Sequence, residues 1–173
     1  MKTSLPRFSL LHAILFALLV VIVGVDMMTA HAEGLGKNEL PIHDAARTGT
    51  RADVERILKS NPAMRDMPTG ELGSTPLHLA ALNLDSGPLK ALIAAGANVN
   101  ARDKNDATPL HMAAFATRAE HAKLLLQAGA DPLLKTVEGR DVASLARRVR
   151  ADEVAGIISL WLLKGCKAGT PCL

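Results

Sequence analysis

The segment Thr75-Pro76-Leu77-His78-Leu79-Ala80-Ala81 recurs 33 residues later as Thr108-Pro109-Leu110-His111-Met112-Ala113-Ala114. Each copy spells the start of a short helix. Threonine is a favoured N-cap, proline costs nothing at the first helical position because its missing N–H has no partner there, and leucine and alanines follow. Eighteen residues after each histidine comes a second matching stretch, Ala95-Gly96-Ala97-Asn98 and Ala128-Gly129-Ala130-Asp131. Both ends of the unit therefore keep register, and a fixed period of this length is the signature of a stacked-repeat architecture.

Working backwards, Leu40-Pro41-Ile42-His43-Asp44-Ala45-Ala46 lies 35 residues before His78, with Asn61 where the later units carry Gly96 and Gly129, so two residues are inserted between the first two units. Working forwards, Asp141-Val142-Ala143-Ser144-Leu145-Ala146 places Ser144 33 residues after His111, and an apolar stretch at 154–163 follows. The units run about 39–73, 74–106, 107–139 and 140–163. In each of the first three, a second helix is marked by an i, i+3, i+4 stripe: Val54, Ile57, Leu58; Leu89, Leu92, Ile93; Ala122, Leu125, Leu126. Gly96, Gly129 and Asn61 are the residues expected to end these helices in the left-handed conformation. Alanine pairs at 45/46, 80/81 and 113/114 leave room for close helix approach. No single unit can bury its own apolar face, so stacking is obligatory.

The 33-residue spacing, the Thr-Pro-Leu-His-x-Ala-Ala segments and the Gly-Ala-Asn and Gly-Ala-Asp endings resemble ankyrin repeats over about residues 39–163. The resemblance implies an all-α solenoid of four stacked helix-turn-helix repeats, with polar connections such as 100–107 projecting as β-hairpin fingers. It implies that Thr75, Pro76, His78, Thr108, Pro109, His111 and His43 are structural, the histidines bonding backbone and the capping threonine so as to tie units together. Leu84 and Thr117 depart from the family's usual glycine between the two helices, whereas Gly49 keeps it.

Outside the repeats, residues 8–25 are almost wholly apolar behind Lys2 and Arg7, and Ala30-His31-Ala32 supplies a small-x-small cleavage pattern before Glu33. Residues 1–32 are read as a signal peptide, alternatively an uncleaved anchor, with 33–38 as linker. Either way the remainder faces outside the cytoplasm: periplasmic or secreted, alternatively anchored in the inner membrane. Removing Lys2, Arg7 and Asp26 leaves 18 basic against 16 acidic residues, and the only aromatics after Glu33 are Phe115 and Trp161. That pattern does not fit nucleic-acid binding, which needs a basic stripe and stacking rings. Cys166 and Cys172 flank a turn-prone Lys-Ala-Gly-Thr-Pro in the tail 164–173, and export makes a disulfide between them the expected state.

No enzyme constellation is present in the sequence. Gly34-Leu35-Gly36-Lys37 lacks the spacing and the following Ser or Thr of a phosphate loop, and no serine sits in a nucleophile elbow. The histidines of adjacent stacked helices lie about 8 to 10 Å apart, too far to share an ion, so neither metal nor cofactor is expected. His121 is read as a partly covered surface residue. The expected function is binding of another protein. In the family this uses finger tips and the outward residues of the first helices, which the register places at Arg47, Leu82, Phe115 and Arg148 in one column, with Asn83 in the next. The fingers add Thr69, Glu71, Leu72 and Ser74, then Arg102, Lys104, Asn105 and Ala107, then Lys135, Val137, Glu138 and Arg140. A membrane-tethered scaffold is the alternative, and a metal or haem binder using the histidines and cysteines is the least favoured reading. Trp161 is expected to cover the apolar end of the last unit.

Overall fold

The computed structural model describes residues 39–169, which fall in one compact unit. The segment read as a signal peptide or anchor (1–32), the linker 33–38 and Cys172 lie outside the described residues.

Among the described residues eight α-helices form four consecutive pairs: α1 (Pro41–Thr48) with α2 (Arg51–Ser60), α3 (Pro76–Ala80) with α4 (Gly87–Ala94), α5 (Pro109–Phe115) with α6 (Ala119–Gln127), and α7 (Val142–Arg148) with α8 (Asp152–Leu163). First helices pack on first helices in the order α1, α3, α5, α7, and second helices on second helices in the order α2, α4, α6, α8, giving two layers. The apolar stripes meet between the layers. Ile42, Leu77, Leu89, Leu92, Leu110, Leu125, Leu126 and Ile158 are fully buried, and both members of each alanine pair are buried at the helix contacts. None of the described helices is long and apolar enough to cross a membrane.

The helix starts are fixed chemically. Pro41, Pro76 and Pro109 open α1, α3 and α5. In α2 the Asp53 carboxylate accepts from the N–H of Thr50 at 3.0 Å, and in α7 the Asp141 carboxylate accepts from the N–H of Ser144 at 2.8 Å. Those bonds hold both carboxyls below the usual carboxylate range. At the other end, α4 and α6 stop at Gly96 (φ 78°) and Gly129 (φ 101°) in the left-handed conformation. Asn61 does not follow them. Its backbone has φ −147°, and its side chain instead accepts from the N–H of Ala63 at 3.2 Å to start a 3-10 turn over Pro62–Asp66. One of the two inserted residues is accommodated beside this turn and the other in the first finger.

The turn column between paired helices also differs from expectation. Gly49 is extended (φ −84°), but a Cβ there would lie 2.7 Å from the carbonyl oxygen of Ala45, so glycine serves close approach rather than a positive φ. Thr117 (φ 57°) and Arg150 (φ 58°) take up the left-handed conformation themselves. At the C-terminal end Trp161 is 5% exposed and joins the core, and the tail returns to α6, the N–H of Gly169 donating to the carbonyl of Gln127 at 2.9 Å.

Candidate protein-binding face and the braces that shape it

Each of the first three units contributes a finger, a tight turn closed at its base by a backbone bond: Thr69 N–H to Ser74 O (2.9 Å), Asp103 N–H to Ala107 O (3.0 Å) and Thr136 N–H to Arg140 O (3.0 Å). None of the described residues is in a β-strand, so the fingers are turns rather than strand-paired hairpins. The fingers are joined to each other by the N–H of Lys104 to Leu72 O and the N–H of Val137 to Asn105 O, both 2.9 Å. The Asp103 carboxylate accepts from the N–H groups of Asn105 (2.8 Å) and Ala107 (2.9 Å), shaping the middle turn.

Histidine latches tie fingers to helices. In α3 the N–H and hydroxyl of Thr75 lie 3.1 and 2.9 Å from Nδ1 of His78, which makes Nδ1 the acceptor and leaves the proton on Nε2; that Nε2–H donates to Ala107 O at 3.0 Å. The same arrangement recurs from Thr108 through His111 to Arg140 O at 3.2 Å. His43 accepts from the N–H of Leu40 at 2.9 Å and donates to Met67 O at 2.7 Å, the carbonyl before the first finger, because the insertion alters that connection. Burial pushes the His78 and His111 rings below the ordinary imidazole value. Among the described residues no group of three or more His, Cys, Asp or Glu side chains is placed to hold a metal ion.

Several residues expected to face a partner turn out to be braces. Asn83 is a correction: it is 7% exposed, and its amide donates to the carbonyls of Ala46 and Gly49, both at 3.1 Å, fastening the second unit to the first. Thr69, Ser74 and Ala107 are likewise buried in the closure of their fingers. Arg102 reaches Asp106 (3.1 Å) and Lys135 O (2.6 Å), while the Lys104 ammonium donates to the carbonyls of Gly70 (3.1 Å) and Glu71 (2.6 Å). Arg47 is paired with Glu39 at 2.6 Å, a contact that lowers the Glu39 pKa, and Glu138 is paired with Arg140. His121 is a second correction, being 3% exposed with burial lowering its pKa and no hydrogen-bond partner on Nε2.

What stays open is narrower than the register suggests. Phe115 is 61% exposed and Val137 63% exposed, Arg148, Asn105 and Lys135 face solvent, and Leu82 is half-buried. Phe115, Met112, Val137 and Leu145 line a cleft of about 350 Å³ between α5, α7 and the last finger, together with the polar Thr136, Glu138 and Arg140. A phenylalanine left uncovered beside a preformed apolar cleft presents a surface suited to a partner.

The family model for ankyrin repeats in three copies matches residues 15–136, more than half of the chain. The chain belongs to the ankyrin-repeat family. Ankyrin repeats generally mediate protein–protein interaction, and the open cleft lies on the ankyrin face formed by first helices and fingers. The fourth helix pair, α7 and α8, follows the matched residues and completes the ankyrin stack, contributing Leu145 to the cleft.

Proposed function

We propose that this ankyrin-repeat protein is an exported, non-enzymatic binding module that stabilises or inhibits one partner protein outside the cytoplasm. The observation that carries the reading is the exposed Phe115 beside an apolar cleft, on a face where Arg47, Asn83, Arg102 and Lys104 already serve as braces. Rigid bracing favours this use, because a preorganised surface loses little conformational entropy on association. Export is supported by the apolar stretch 8–25 behind two basic residues and by Ala30-His31-Ala32. A Cys166–Cys172 bridge would suit that compartment and staple the tail where it returns to α6.

The test is capture of partners from an extracytoplasmic extract by the immobilised protein, compared with its Phe115→Asp variant, each captured protein being identified by mass spectrometry. One protein held by the parent and lost by the variant is the expected result. Equal capture by both would remove this face from the function. Cell fractionation addresses location: a shortened band in the soluble extracytoplasmic fraction is expected, and a full-length band in membranes would replace the exported module by the tethered scaffold.

A further inference from the structure

The carboxyl end of a helix leaves its last carbonyls without partners inside the helix, so donors must come from elsewhere. For two of the second helices the preceding unit supplies one. The Arg65 guanidinium donates to the carbonyl of Ala95 at the end of α4, and the Asn100 amide donates to the carbonyl of Gly129 at the end of α6, both at 3.0 Å. One 33-residue period after Asn100 stands Leu133, an exposed side chain with nothing to donate. The end of α8 is finished instead by the chain that follows it. Gly165 takes the left-handed conformation (φ 61°), the N–H of Cys166 donates to the carbonyl of Trp161 at 3.1 Å, and Cys166 packs against the core. The chain then crosses to the end of α6, where Gly169 (φ 73°) donates its N–H to Gln127 O at 2.9 Å. The methyl group of Ala168 lies 3.5 Å from the point a Cβ on Gly129 would occupy, so the tail is seated against that helix end.

A short segment without secondary structure loses much conformational entropy when it is seated by so few contacts, unless its freedom is already limited. Among the described residues no cysteine is a free thiol, and Cys172 is the one other cysteine of the chain. We propose that Cys166 and Cys172 close residues 166–172 into a ring that caps the end of the stack, and that this cap opens and closes with the redox state of the surroundings. Cys166 is half-buried and the residues on both sides of it are exposed, so a reductant has access. In opening, one thiolate of a dithiol reductant attacks the bridge and the Sγ–Sγ bond breaks through a mixed disulfide. Two electrons and two protons pass to the cysteines while the dithiol becomes a disulfide. A reducing cytoplasm keeps the ring open and an oxidising exterior closes it, which ties completion of the last unit to export. The inference takes its setting from the export reading above but needs no binding partner, and cell fractionation decides the location whatever the ring does.

The full chain, purified without reductant, is compared with the same protein after dithiothreitol treatment. Before treatment iodoacetamide should modify neither cysteine, and afterwards both. Hydrogen exchange then reads the cap. The amides of Lys164, Gly165 and Cys166, which donate to Leu160, Leu162 and Trp161, should exchange at least about tenfold faster once the ring is open, while those of α3 and α5 keep their rates. Trp161, the only tryptophan, is buried beside the tail, so its emission should move to longer wavelength on reduction. The double variant Cys166→Ser, Cys172→Ser should behave like the reduced protein and ignore dithiothreitol. Alkylation of both cysteines in the untreated protein would overturn the proposal, as would unchanged exchange at the end of α8 after reduction. A uniform rise through all four units would also overturn it, because the bridge would then hold the whole stack rather than cap its end. If the chain is recovered outside the cytoplasm with both thiols free, the export reading stands and only the ring is lost.

Discussion

The Nε2–H of His78 donates to the carbonyl oxygen of Ala107 across 3.0 Å, joining the first helix of one unit to the residue that precedes the threonine cap of the next. Because Nδ1 of the same ring accepts from Thr75, one side chain satisfies buried groups in two units. His78→Ala is expected to cost about 2–4 kcal/mol, since the carbonyl of Ala107 and the N–H of Thr75 lose their partners and a cavity opens. Urea denaturation measures this; a loss within about 0.5 kcal/mol would mean the latch contributes nothing net.

Stability should fall on mild acidification. Burial lowers the pKa of His78, His111 and His121 in the folded chain, while the unfolded chain has the ordinary value of about 6.5. As the pH drops through about 6.5 the unfolded chain takes up protons that the folded chain refuses, so stability is full above that value and declines towards the folded pKa values. Asp141 and Glu39, whose pKa values are lowered, add a further loss at more acid pH, below the ordinary carboxylate values of about 4. The urea midpoint should therefore be level from about pH 8 to 7 and fall towards pH 5. His121→Leu should remove part of that fall, because His121 is faced by Glu120, Arg118 and Asp85 but leaves Nε2 unpartnered. A midpoint independent of pH across this range would contradict the buried neutral rings.

Thr117→Gly should stabilise the protein by about 0.5–1 kcal/mol. A β-branched residue at φ 57° bears a steric cost of about 1–2 kcal/mol that glycine avoids, offset by glycine's greater freedom in the unfolded chain. The neighbouring turn predicts the opposite sign: Gly49→Ala brings a methyl group against the Ala45 carbonyl and should destabilise by about 1–3 kcal/mol. Melting curves of the two variants moving in the same direction would refute the account of this turn column.

Asn83→Ala separates bracing from binding. It should cost about 1–3 kcal/mol by leaving two carbonyls without donors, yet leave capture of a partner unchanged at temperatures where the variant is folded. Phe115→Asp should do the reverse, abolishing capture with a stability change within about 0.5 kcal/mol. A loss of capture by folded Asn83→Ala would return that residue to the binding face.

The repeats and core were legible because helix packing imprints its period on apolar residues, and Thr-Pro-Leu-His fixes the phase of each unit. Asn83 was misplaced because α3 ends at Ala80, so a register carried on from a longer helix points the wrong way beyond it. A signal was present: in Asn83-Leu84-Asp85-Ser86-Gly87 the Asn83 and Asp85 side chains accept from backbone N–H groups two residues on, and such chemistry marks a turn. The roles of Arg102 and Lys104 were not readable, since a long cation directed at a neighbouring finger's carbonyls has the same sequence as one directed at solvent. His121 resembles any surface histidine until the loop carrying Asp85 folds over it.

The strong helix contacts join only pairs that are neighbours along the chain. Nothing in the core waits for the distant ends of the polypeptide to find each other, and chains dominated by such short-separation contacts fold fast for their size. The two central pairs, with the full Thr-Pro-Leu-His starts and glycine stops, are the natural place for ordering to begin and spread outwards. The same linearity makes the middle a point of failure. Disruption at the α3–α5 contact would part the chain into two halves of two repeats each, below the roughly three that such a stack needs to persist.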